Sequence, residues 1–140
     1  MIILDTNVIS ETMRSQPDPS VLAWLDERAA AGLFVTTITE AEIRFGVARL
    51  PDGKRRNGLA AAAEQAFETL FRDRVLTFDR DAARAYATIA GHRTAIGRPI
   101  SQFDCQIAAI ARSRGAAVAT RNVEDFAECG LEITNPWDAS

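Results

Sequence analysis

The chain has 140 residues, 47% of them apolar, and a formal net charge of −3. That is enough for one compact domain, residues 1–140, burying roughly 70% of its unfolded surface, and leaves no room for a second. No apolar stretch approaches the about 18 residues of a membrane span, and Met1-Ile2-Ile3-Leu4 meets Asp5 before a signal-peptide core can form, so a soluble, cytoplasmic protein is expected.

In chain order, the β-prone run 1–4 predicts a buried strand feeding a turn at Asp5-Thr6-Asn7. Pro17-Asp18-Pro19-Ser20 opens a helix through Val21, Leu22 and Leu25. A second strand is expected over 33–38, followed by a helix through Ile43, Val47 and Leu50. Residues 51–58 read as an exposed connection, and the Ala-rich segment 59–71 as a helix. Then come a strand at 75–78, a helix at 79–95, a helix through Phe103, Ile107 and Ile110, and strands at 116–119 and 131–133. Strands alternating with helices, without hairpin chemistry between strands, predict an α/β domain with a mostly parallel sheet.

Cys105 and Cys129 stand in no CxxC or Cys/His spacing, so free, partly buried thiols are expected rather than a disulfide framework or a zinc site. His92, alone among helix-like residues, reads as a surface side chain. Net negative charge ordinarily argues against a nucleic-acid partner. The objection is limited, because acids gathered in one pocket can be neutralised by a divalent cation while arginines elsewhere meet a polyanion. The 15 arginines decide little, since base composition yields the same bias.

The carboxylates fall where an open parallel sheet forms its crevice, beyond the carboxyl ends of the strands. Asp5 ends the first run, Glu40 and Glu42 follow the second, Asp104 opens the helix before the fourth, and Asn122, Glu124 and Asp125 follow it. Capping competes as an explanation: Thr39-x-x-Glu42 and Ser101-x-x-Asp104 have capping-box spacing and Asn122-x-x-Asp125 resembles it. Asp5 is less readily explained this way. Glu40 and Glu42 differ by about 200° around a helix, so only one lines the crevice. Gly46, four residues on, favours Glu42 by permitting close approach of that face to the sheet.

The motifs Ile3-Leu4-Asp5-Thr6-Asn7-Val8-Ile9-Ser10, Ile38-Thr39-Glu40-Ala41-Glu42-Ile43-Arg44-Phe45-Gly46, Asp104-Cys105-Gln106-Ile107-Ala108-Ala109 and Ala119-Thr120-Arg121-Asn122-Val123-Glu124-Asp125-Phe126, in this order, resemble the PIN-domain ribonucleases. Within that family they are similar to the VapC-type toxins, FitB-like members included. The resemblance implies a sheet of order 3-2-1-4-5 with helices on both faces. It further implies an acidic pocket for Mg²⁺ or Mn²⁺ in which Asp5, Glu42 and Asp104 are the catalytic acids and metal ligands. Asn122 stands where the family often has a fourth acid, and Asp125 either substitutes as a ligand or caps its own short helix. Thr6, Asn7, Thr120 and Asn122 match polar positions beside the acids, and Thr6 or Thr120 is expected to hold a carboxylate by a hydrogen bond. The implied activity is endonucleolytic hydrolysis of single-stranded or loop RNA leaving a 5′-phosphate, with a homodimer and a cognate antitoxin as partners.

A rival enzyme class and a receiver domain fit less well. A haloacid-dehalogenase-type phosphatase needs an aspartate at residue 7, which is Asn, and a receiver domain needs a late lysine where the only lysine is Lys54. A catalytically silent PIN fold acting through protein contacts is the non-enzyme alternative, and Asn122 is its support.

Overall fold

The computed structural model describes residues 1–138. Its strands are β1 (Ile2–Leu4), β2 (Leu33–Thr36), β3 (Val75–Leu76), β4 (Ala117–Ala119) and β5 (Ile133–Thr134). They form a sheet of order β3-β2-β1-β4-β5, with every neighbouring pair parallel. The helices are α1 (Thr6–Thr12), α2 (Pro19–Arg28), α3 (Thr37–Ala48), α4 (Lys54–Gln65), α5 (Arg80–Ala95) and α6 (Gln102–Ser113).

Successive strand residues point to opposite faces, and the core divides accordingly. Leu4, Leu33, Val35 and Ala119 pack with Val8, Ile9, Val21, Trp24, Ile43 and Phe67, which come from α1 to α3 and the turn after α4. Ile3 and Val118 pack with Ala82, Ile89, Ile107 and Ile110 from α5 and α6. The chain winds outward from β1 to β3 with α1 to α4 on one face, then crosses back to β4 with α5 and α6 on the other. The reversal lies between β1 and β4, and the carboxyl ends of these two strands flank the crevice.

Three local readings need correction. The expected turn at residues 5–7 is the start of helix α1, which the sequence did not announce. β2 ends at Thr36 rather than residue 38, because the Thr36 hydroxyl accepts from the Thr39 N–H at 3.2 Å and starts α3. α4 begins at Lys54, so the exposed connection shrinks to 51–53, with Gly53 supplying a φ of 153° at the helix entry. Ordinary caps hold the other helices: Asp18 accepts from the Ser20 N–H, Asp79 from the Ala82 N–H and Ser101 from the Asp104 N–H.

Candidate active site

Asp5 leaves β1 at the switch point, where its N–H donates to the Ala119 carbonyl at 2.9 Å. The residue is buried, only 5% exposed. Oδ1 accepts from the Thr6 N–H and Oδ2 from the Thr120 hydroxyl, both at 2.8 Å. Asp5 is therefore the N-cap of α1, against the expectation that capping explains it poorly. Burial pushes its pKa up to about 6; the Thr120 and Thr6 hydrogen bonds work against that rise, and the charges of Asp104 and Glu42 add to it.

Glu42 is held from the opposite side. α3 starts at Thr37, which puts Glu42 in the second turn, beyond reach of the cap; the Thr39-x-x-Glu42 box does not form. The Thr6 hydroxyl instead donates to Glu42 Oε1 at 2.9 Å and lies 3.0 Å from the Thr39 hydroxyl. Glu40 turns away and accepts from Arg44 Nε at 2.8 Å, and Arg44 also pairs with Glu64 and Glu68. The role given to Gly46 fails: a Cβ there would meet nothing within 4 Å. The helical register alone separates the two glutamates.

Asp104 is the third residue of α6, and its N–H donates to Ser101 Oγ at 3.2 Å as the capping spacing requires. Its pKa is raised, first by burial and further by Asp125, against the lowering effects of Ser101 and Arg93. Asp5, Glu42 and Asp104 all line one open cavity of about 440 Å³, together with Thr6, Asn7 and Asn122. Asp125 is exposed in the 3-10 turn Val123–Phe126 and does not line it; the Asp125 N–H donates to the Asn122 carbonyl at 3.0 Å, with no side-chain cap.

Thr120 is a junction. Fully buried, it donates to Asp5, and its oxygen accepts from Asn7 Nδ2 at 3.3 Å and the Asn122 N–H at 3.0 Å. Both expected threonines thus hold a carboxylate. Sequence reasoning missed the other lining residues, among them Arg14, Arg121 and Trp137. Glu11, buried and also lining the cavity, accepts from Arg14 and from the Asp18 N–H, tying α1 to the start of α2. No spacing rule links these positions to the acids. Cys105 and Cys129 are free and buried, with burial pushing the Cys105 thiol up to about 11. His92 is exposed, beside Glu128.

Carboxylate oxygens, already repelling one another around a buried aspartate, are the donor set of a hard divalent cation. Among the described residues no three Asp, Glu, His or Cys side chains are gathered closely enough to hold an ion together. The three acids border a shared cavity whose open side admits a ligand.

A parallel sheet of order 3-2-1-4-5 with a carboxylate-bearing crevice at its switch point defines a PIN-type α/β domain. The PIN domain model matches residues 2–130, and the chain belongs to that family. It is 44% identical to the VapC ribonuclease Y4jK of Sinorhizobium fredii, over 99% of both chains. It is 42% identical to the toxin FitB of Neisseria gonorrhoeae, over 98% of this chain and 99% of that one. Among solved structures, FitAB bound to the IR36 DNA fragment superposes with a TM-score of 0.92 at 41% identity, covering 100% of this chain and 98% of the other.

Proposed function

We propose that this chain is a divalent-metal-dependent endoribonuclease, the toxin of a toxin–antitoxin pair, built as one domain over residues 1–140. The observation that carries the reading is the convergence of Asp5, Glu42 and Asp104 on one cavity of a PIN fold, each from a different element. The names of two relatives, a VapC ribonuclease and a toxin, support it. A bound Mg²⁺ or Mn²⁺ supplies charge neutralisation at the scissile phosphate and a lowered water pKa.

The chain's own residues do the rest. Asp5, just after β1, and Asp104, in the first turn of α6, would hold the cation, with Glu42 completing the set from α3. Thr120 fixes the Asp5 carboxylate by donating to Oδ2, and Thr6 fixes Glu42 by donating to Oε1, so neither acid must reorganise when the cation enters. Arg14 and Arg121 on the cavity wall offer guanidinium donors to RNA phosphates. The net charge of −3 is thereby reconciled with a polyanionic substrate, because negative charge is concentrated where the cation binds.

A cognate antitoxin and a second copy of the chain are the protein partners of this reading; the similarity to a solved member of the VapBC family of toxin–antitoxin systems supports the antitoxin. No helix among the described residues is long and apolar enough to cross a membrane. The setting proposed is the cytoplasm, where RNA is at hand. Incubating the purified chain with total RNA and Mn²⁺, with and without chelator, tests the activity. Chelator-sensitive cleavage is expected. Intact RNA in both arms would favour the silent fold, to which Asn122 at the fourth acid position gives its one specific support.

A further inference from the structure

The rim of the acidic cavity carries a feature that holding a cation does not require. Arg121 directly follows Thr120, the residue that holds Asp5, and its guanidinium lies 5.1 Å over the centre of the Trp137 ring. Both line the cavity that Asp5 and Asp104 line. Four other arginine–aromatic pairs occur among the described residues, formed by Arg28, Arg44, Arg49 and Arg74, and none of these arginines borders that cavity.

The platform is anchored from below and open above. Trp137 packs against the core cluster containing Leu4 and Val8, follows a buried Pro136, and donates its N–H to Asn135 Oδ1 at 2.9 Å. The Arg121 backbone is tied to the active-site loop by an N–H to Asn7 Oδ1 contact of 3.4 Å. Its side chain is exposed and makes no ion pair with a carboxylate among the described residues, although its charge is felt at Asp18. A guanidinium without an ion pair among the described residues, beside a cavity lined by four acids and backed by an indole, presents a planar cationic group. That is a group on which an unpaired nucleobase stacks, and every base has a π-face to offer it.

We infer that Arg121, backed by Trp137, forms a nucleobase subsite that stacks one unpaired RNA base next to the scissile phosphate. This rests on the ribonuclease reading above and deepens it. A paired base has both faces occupied by its neighbours in the helix and cannot use the platform, so the subsite gives a physical basis for the single-stranded or loop RNA that the family resemblance implies. Arg121 acts here through its plane as well as its charge, which separates it from Arg14, whose guanidinium pairs with Glu11.

The test uses the full chain and a short single-stranded oligoribonucleotide containing 2-aminopurine, placed at each position in turn. Stacking is read as fluorescence quenching in the Asp5→Asn background, where the RNA stays intact, and cleavage is read in the otherwise unaltered protein. Quenching is expected at one position, and none when the same oligonucleotide is annealed to its complement. Arg121→Lys keeps the charge and loses the plane; it should abolish the quenching and raise KM at least about fivefold, more than it changes kcat. Trp137→Phe keeps an aromatic backing and should retain most of the quenching, whereas Trp137→Leu should lose it. Thermal unfolding of each variant checks that the fold is kept. Unchanged quenching and KM in Arg121→Lys would overturn the subsite and leave Arg121 as a phosphate contact only. Absence of quenching at every position of the single-stranded oligonucleotide would likewise overturn it. Failure of the unaltered chain to cleave any RNA refutes the ribonuclease reading separately, since cleavage by Arg121→Lys with normal KM refutes only the subsite.

Discussion

Replacing Asp5 by Asn should abolish RNA cleavage while making the metal-free protein more stable at neutral pH. Burial and the neighbouring acids raise the Asp5 pKa from 3.8 to about 6. Between those values the folded protein binds a proton that the unfolded chain has released, so stability is fully present below pH 3.8 and is lost as pH rises through about 6. The loss above pH 6 amounts to about 3 kcal/mol. Asn carries no such burden, but its amide can accept only one of the two hydrogen bonds now made by Thr6 N–H and the Thr120 hydroxyl, which costs about 1 kcal/mol. The variant should therefore gain about 2 kcal/mol at pH 8, roughly 5–10 °C in Tm for a domain of this size. The gain should vanish near about pH 4.5 and reverse below it. Differential scanning fluorimetry with chelator across this pH range measures the crossover. An Asp5→Asn protein less stable than the parent at pH 8, or a difference independent of pH, would refute the assignment of a buried, strained carboxylate to the end of β1.

Three further outcomes are expected. Glu42→Gln should abolish cleavage and Glu40→Gln leave it nearly intact, since Glu40 is committed to Arg44; the reverse ranking in an RNA cleavage assay would reject the assignment of roles on α3. Mn²⁺ or Mg²⁺ at about a hundredfold above Kd should stabilise the protein by roughly 2.7 kcal/mol, and Asp104→Asn should shrink that shift; a flat melting curve with both ions would speak for a silent fold. Asp125→Asn should leave Mn²⁺ affinity close to unchanged by calorimetric titration, because Asp125 stands outside the cavity, whereas Asn122→Asp should tighten it by adding an anion to the lining; a large loss of affinity in Asp125→Asn would make Asp125 the fourth ligand.

The sheet was legible because each strand is a short apolar run ended by a polar residue, and the strand order because four motifs resembled a family whose order is known. Helix α1 was not legible. Thr6-Asn7-Val8-Ile9-Ser10-Glu11-Thr12 is rich in β-branched and locally hydrogen-bonding residues, which are indifferent helix formers. It becomes a helix because Asp5 caps it and Val8 and Ile9 are driven into the core, neither of which local propensity records. The start of α4 was hidden for a related reason: Lys54-Arg55-Arg56-Asn57-Gly58 has the composition of a loop, yet its exposed face tolerates charge and glycine once the rest of the helix packs. At the site, strand ends and helix spacing put the acids beside the crevice, and the family resemblance singled out Asp5, Glu42 and Asp104, which line one cavity. The rim of Arg14, Arg121 and Trp137 was beyond reach, because these residues meet only after β1 and β4 pair.

Capping and chemistry looked like rival explanations for the acids, and the structure makes them parts of one arrangement. Asp5 sits at the amino end of α1 and Asp104 in the first turn of α6, where unpaired N–H groups favour negative charge by typically 0.3–1 kcal/mol. That support offsets part of the repulsion built up when carboxylates are brought together beside a buried strand end. Glu42 lies too far into α3 to receive it and depends on the Thr6 hydroxyl instead. Thr6 therefore serves both sides of the crevice, its backbone N–H donating to Asp5 and its hydroxyl to Glu42. A residue that a sequence reading assigns to a turn thus couples the two acids: any shift of α1 along its axis moves both donors together and changes the spacing of the two carboxylates.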